Sequence, residues 1–148
     1  MVNEVSKNAI NRVESDKAEW QVSTSYPEEL QRVVRWKTLV GGNGSDWVGG
    51  IPQKDVIVGL LDLDSGGYYP AHSHPAPEIY LILSGTAEWT IGDDTFTAKP
   101  GMAIYHAPNT SHRMVNRGAE ALRTVWFWWA PDGRADVLAA PVQFLEPT

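Results

Sequence analysis

The chain has 148 residues, 43% of them hydrophobic and 20% charged, which suffices for one buried core and would leave two cores marginal. Twelve Lys and Arg against eighteen Asp and Glu give a net charge of −6, which argues against nucleic acid or an anionic membrane as a partner, since both need a positive surface. With no cysteine, disulfides, thiolate nucleophiles, iron–sulfur clusters and cysteine-type zinc sites are excluded.

The N-terminal stretch Met1–Trp20 is polar, without an apolar core or a small-residue cleavage site. No run reaches the roughly 18 apolar residues that a membrane span requires, so a soluble cytoplasmic protein is expected. One short helix is expected around Ala9 to Glu19. A second helix start stands at Ser25-Tyr26-Pro27-Glu28-Glu29, with proline in the first turn and two carboxylates at the positive end of the helix dipole. Leu30, Val33 and Val34 form its apolar stripe, although Val34–Val40 also reads as the beginning of a strand. Gly41-Gly42-Asn43-Gly44-Ser45 is a loop signal. From Val56 onward, short runs rich in Val, Ile, Leu, Tyr and Trp alternate with turns at Ser65-Gly66-Gly67, Ser84-Gly85, Gly92-Asp93, Pro100-Gly101, Pro108-Asn109 and Arg117-Gly118. This even spacing leaves no room for helical crossovers and predicts an antiparallel sandwich or small barrel. The expectation is one all-β domain over residues 1–148, with an N-terminal helical or extended arm over 1–45 and a β-barrel core over 46–148.

The four histidines all fall between His72 and His112. His72 and His74 are two apart and share a face of a strand, and Glu78 and Tyr80 keep the same parity across Pro75 and Pro77. A strand beginning at His112 can return a third imidazole to this point. A lone histidine on an apolar strand is ordinarily packed core, but three with a glutamate in phase point to a bound ion. Neutral imidazoles and a carboxylate suit Fe(II), Mn, Ni, Co or Zn. His106, just before the Pro108-Asn109 turn, is left over and reads as a structural histidine, with a role lining the barrel or beside the ligands as the alternative.

These residues resemble the cupins. Gly66, His72, His74, Glu78 and Gly85 fit the first cupin motif, and Gly101, Pro108, His112 and Asn116 fit the second, with Ala107 where proline is usual and Asn109 where glycine is common. Asparagine tolerates the left-handed conformation such a turn asks for. The resemblance implies a jelly-roll-like β-barrel holding one divalent ion on His72, His74, Glu78 and His112. The surrounding pattern, Tyr69, His72, His74, Glu78 and Tyr80 with the later His112, is similar to the cupin-type dimethylsulfoniopropionate lyases. That similarity implies β-elimination from a small carboxylate, with Tyr80 as general base and Tyr69 positioning the substrate. The run Val125-Trp126-Phe127-Trp128-Trp129 offers aromatic faces for a cationic sulfonium, so Trp126, Phe127 and Trp128 are candidate substrate contacts.

Two other readings share the same ligands: a cupin dioxygenase or isomerase of a small organic substrate, and a non-enzymatic small-molecule-binding barrel. A homodimer is expected, because an open antiparallel edge calls for cover.

Overall fold

The structure, a computed structural model, describes residues 12–22, 26–41 and 50–146. The expected helix around Ala9 to Glu19 lies partly outside these residues, and within them the chain makes a 3-10 turn at Ser15–Lys17. The second helix, α1 (Glu28–Val33), begins after Pro27 and has Glu28 and Glu29 in its first turn. It ends at a pair of β-branched residues: Val33 is its last residue and Val34 opens β1 (Val34–Val40), so the stripe ascribed to one helix divides between helix and strand.

The strands that follow are β2 (Val56–Leu63), β3 (Tyr68–Ser73), β4 (Glu78–Ser84), β5 (Ala87–Ile91), β6 (Asp94–Ala98), β7 (Ala103–His106), β8 (His112–Val115), β9 (Leu122–Trp129) and β10 (Gln143–Phe144). They pair antiparallel into two five-stranded sheets, ordered β1-β2-β9-β4-β7 and β10-β3-β8-β5-β6. The all-β expectation holds, and the barrel is realised as a jelly roll of two facing sheets that do not close into one ring. β1 belongs to the first sheet through its pairing with β2, although it falls within residues 1–45, expected as an arm. No helix among the described residues is long and apolar enough to cross a membrane.

Period-two alternation builds the core between the sheets. Leu61 and Leu63 of β2, Tyr80 and Ile82 of β4, Ile104 of β7 and Leu122 and Trp126 of β9 meet Trp89 of β5 and Met114 of β8. Two glycines are required by this packing. Gly85 has a φ of 75°, and a Cβ there would stand 2.4 Å from the Ala121 carbonyl oxygen. At Gly59 a Cβ would stand 2.0 Å from the Lys37 carbonyl oxygen of β1 and 2.9 Å from Trp126 Nε1. Asn109 adopts a φ of 59°, as expected for asparagine in that turn, and its N–H donates to the His74 carbonyl at 2.8 Å, joining the two histidine segments.

The N-terminal segment is held against β1 by the Gln21–Trp36 backbone pair (2.7 and 3.1 Å), by Lys37 Nζ donating to the Ser15 carbonyl at 2.8 Å, and by Trp20. Arg35, Lys37 and Arg123 place their charged groups 4.8, 4.5 and 5.5 Å from the Trp20 ring. The buried Asp62 carboxylate accepts two hydrogen bonds from Arg123, at 2.9 and 2.8 Å.

Candidate metal centre

The fold brings His72, His74, Glu78 and His112 together at one end of the core, all buried. His72 and His112 are directly paired across β3 and β8, with ring centroids 4.1 Å apart. His74, Glu78 and His112 present ligand atoms that all lie within 4.8 Å of one another. His72 stands beside them, its ring centroid 6.3 Å from that of His74.

Each of these imidazoles is oriented by its own backbone. Nδ1 of His72 contacts the Pro70 carbonyl at 2.7 Å, Nδ1 of His74 the Ala76 carbonyl at 2.9 Å, and Nδ1 of His112 the Thr110 carbonyl at 2.9 Å. A carbonyl only accepts, so each Nδ1 carries a proton and, in the neutral ring, each Nε2 carries a lone pair. Nε2 of His74 and Nε2 of His112 each lie 3.3 Å from Glu78 Oε1. With both rings neutral, three electron pairs face one another, and His112 Nε2 is buried with no hydrogen-bond partner. That arrangement fits a cation. Burial would raise the Glu78 carboxyl, but its histidine contacts, led by the His106 hydrogen bond, hold it well below the usual carboxylate range. Burial, then the neighbouring His112, pushes His72 well below the usual histidine range. A buried carboxylate at this point is a negative charge that a bound cation would neutralise.

Glu78 is gripped by the strands on both sides. In register it opposes His106 of β7 and Trp128 of β9. Nδ1 of His106 lies 3.0 Å from Oε1, and the Trp128 indole N–H donates to Oε2. His106 Nε2 in turn accepts from the Trp89 indole N–H at 3.0 Å. An indole nitrogen only donates, so the neutral His106 ring has its proton on Nδ1, aimed at Glu78. Both His106 nitrogens are thus engaged, and burial lowers its pKa to about 4. The histidine read as structural is in direct contact with the carboxylate.

A bulge in β3 brings Tyr69 into the site. Tyr69 pairs with Met114 and His72 with His112, so Pro70 and Ala71 together oppose one residue of β8, and residues three apart both face inward. The Tyr69 ring stacks on His72 with centroids 4.0 Å apart, and its hydroxyl is 2.8 Å from that of Tyr26. Tyr80 is buried beside Glu78, packed against Trp89 and His106 with centroids 5.0 and 5.6 Å away. Burial raises both phenols well above their ordinary range, reinforced at Tyr80 by the Glu78 charge and at Tyr69 by Tyr26.

The site opens into a cavity of about 670 Å³. Of the three residues expected to contact substrate, Trp126 and Trp128 line it and Phe127 does not. Successive residues of β9 face opposite ways, so Phe127 is on the outer face of the sheet. The sequence reading missed Tyr26, Trp36, Ile57 and Leu138 as wall residues. They lie outside the motif segments, and only the order of the strands brings them here.

Residues 59–128 match the Cupin_2 model of cupin domains, and this stretch contains the histidine–glutamate cluster. Among individual proteins, the chain is similar to two dimethylsulfoniopropionate lyases of Ruegeria pomeroyi. It is 31% identical to DddW over 61% of this chain and 55% of that protein. It is 37% identical to DddQ over 56% of this chain and 39% of that protein. The matched regions therefore span about half the length or less of these relatives. A crystal structure of DddQ from the same organism superposes with a TM-score of 0.72 at 22% identity, covering 88% of this chain and 62% of that one, a likeness of fold.

Proposed function

We propose that the protein is a metal-dependent lyase that cleaves a small carboxylate by β-elimination, with dimethylsulfoniopropionate as the leading substrate. One observation carries the metal half of this reading: His74 Nε2, His112 Nε2 and Glu78 Oε1 converge with their electron pairs facing one another. The similarity to DddW and DddQ supports the substrate half.

A divalent first-row ion held by His72, His74, Glu78 and His112 would supply positive charge that stabilises the carboxylate as its α proton departs, and would offset the burial that keeps Tyr80 a phenol. With its own phenol proton first released to solvent, Tyr80 acts as the general base: the phenolate Oη takes the α proton and becomes a phenol again. The electron pair of the broken C–H bond forms the Cα–Cβ double bond, and the Cβ–S pair leaves with sulfur, giving acrylate and neutral dimethyl sulfide. Tyr69, steadied by Tyr26, positions the substrate above His72. Trp126 and Trp128 give the cationic sulfonium an aromatic wall worth roughly 0.5–2 kcal/mol. That wall attracts the charged substrate and releases the uncharged sulfide, which favours turnover.

The test is a headspace assay for dimethyl sulfide on the purified chain loaded in turn with Fe(II), Mn(II) and Zn(II), with elemental analysis of each sample. The expected result is sulfide release by the wild type, lost in Tyr80→Phe at unchanged metal content. Full activity in Tyr80→Phe overturns the tyrosine's role. Metal uptake with no release from this substrate overturns the substrate, and oxygen consumption would point to a dioxygenase.

A further inference from the structure

We propose that His106 is a positioning residue of the metal centre: with its tautomer set by Trp89, it holds the Glu78 carboxylate where His74 and His112 converge. The inference rests on the metal reading above and not on the identity of the substrate.

Three observations carry it. First, the bonds form a directed chain, from Trp89 Nε1–H to His106 Nε2 and from His106 Nδ1–H to Glu78 Oε1, each 3.0 Å long. If His106 took the other tautomer, two donors would collide at Trp89 and two acceptors at Glu78, so Trp89 fixes which nitrogen faces the carboxylate. Second, the chain runs from one sheet to the other, Trp89 lying on β5 and His106 and Glu78 on β7 and β4. Trp89 and His106 are 0% exposed and Glu78 is 2%. A polar chain in an apolar core costs stability unless every member is satisfied, and this one ends on the carboxylate. Third, His106 and Trp128 bond different oxygens of Glu78 from opposite neighbouring strands. The carboxylate plane is therefore set before any ion arrives, which lowers the ordering cost of binding. His106 itself has no free electron pair for the ion, since Nε2 is occupied by Trp89 and Nδ1 carries the proton.

The experiment measures Co(II) and Zn(II) affinity by chelator competition for the wild type, His106→Leu, His106→Asn and Trp89→Phe. Thermal unfolding of each metal-free variant checks that it folds. His106→Leu is expected to bind about 10–100-fold more weakly. His106→Asn, whose amide N–H lies near the position of Nδ1–H, is expected to recover most of that loss, and Trp89→Phe to fall between. Wild-type affinity in His106→Leu overturns the proposal, as does an equal loss in the leucine and asparagine variants, which would mark a packing effect. A second measurement is independent of any substitution. Nitrogen-15 NMR of histidine-labelled wild-type protein is expected to show His106 neutral with the proton on Nδ1, and a proton on Nε2 overturns the proposal. A wild-type chain that takes up neither ion overturns the metal reading, and the positioning role falls with it. Absence of dimethyl sulfide release overturns only the substrate.

Discussion

Gly59→Ala tests the packing that places the cavity wall. The new Cβ would stand 2.0 Å from the Lys37 carbonyl oxygen, where an unstrained carbon–oxygen contact is about 3.3–3.6 Å. Backbone must therefore move by more than about 1 Å, and no side-chain rotation relieves it. β1 is the edge strand of its sheet, paired along its length with β2 and otherwise held by single bridges from Gln21 and Ile51, so β1 is the element that yields. Overpacking costs about 1–3 kcal/mol when side chains can adjust, and a backbone clash belongs at the upper end. A loss of about 3 kcal/mol lowers the melting temperature by roughly 6–12 °C for a chain of this size. The assay is thermal and urea unfolding of the metal-free protein. Because the obstacle is backbone, adding Trp126→Phe should restore little of the loss, even though Trp126 Nε1 is only 2.9 Å from the new carbon. A loss under about 0.5 kcal/mol, or near-complete rescue by Trp126→Phe, would refute the reasoning.

Further outcomes are expected. Stability of the metal-free chain should fall as pH drops from about 6.5 to 4, because His106 takes its proton at about 4 when folded and at ~6.5 when unfolded, so the unfolded chain binds more protons in that window. His72, also lowered, acts in the same direction, and Glu78 adds a further loss below its unfolded value of ~4.3. A urea midpoint that is flat or rises on acidification would contradict this. Zinc at one hundred times its dissociation constant should stabilise the wild type by about 2.7 kcal/mol, and much less after Glu78→Gln, read as the shift in melting temperature. Trp20→Ala removes the ring shared by Arg35, Lys37 and Arg123, so trypsin should cut at Lys17 several-fold faster; an unchanged rate would show that the segment is held by other contacts.

The candidate ligands were legible in part, because parity within a strand is local information: Glu78 and Tyr80 share a face of β4, but His72 lies on β3 of the other sheet and His74 in the turn between them, so it is the facing of the two sheets that brings them together. The same rule failed where register intervened. Tyr69 and His72 have opposite parity and still face the same way, because a bulge inserts one residue between them. Phe127 was placed with Trp126 and Trp128 since the turn before β9 hides which parity is inward. Sequence alone gives His106 only a structural part, because its meaning lies in its partners, Glu78 and Trp89, on two other strands. An alternation signal was present, with Ile104 and His106 buried and Ala103 and Tyr105 exposed, but only the pairing of β7 with β4 sets His106 opposite Glu78.

The cavity has two sources. The candidate metal donors lie between His72 and His112, within the residues that match the cupin domain. Much of the wall comes from outside them: Tyr26 and Trp36 on one flank, and Ala135, Leu138, Pro141 and Val142 on the other. A fragment trimmed to residues 59–128 would keep every donor and lose these walls. Two proteins can therefore share all four donors and admit molecules of different shape, so the flanks are where selectivity would be redesigned.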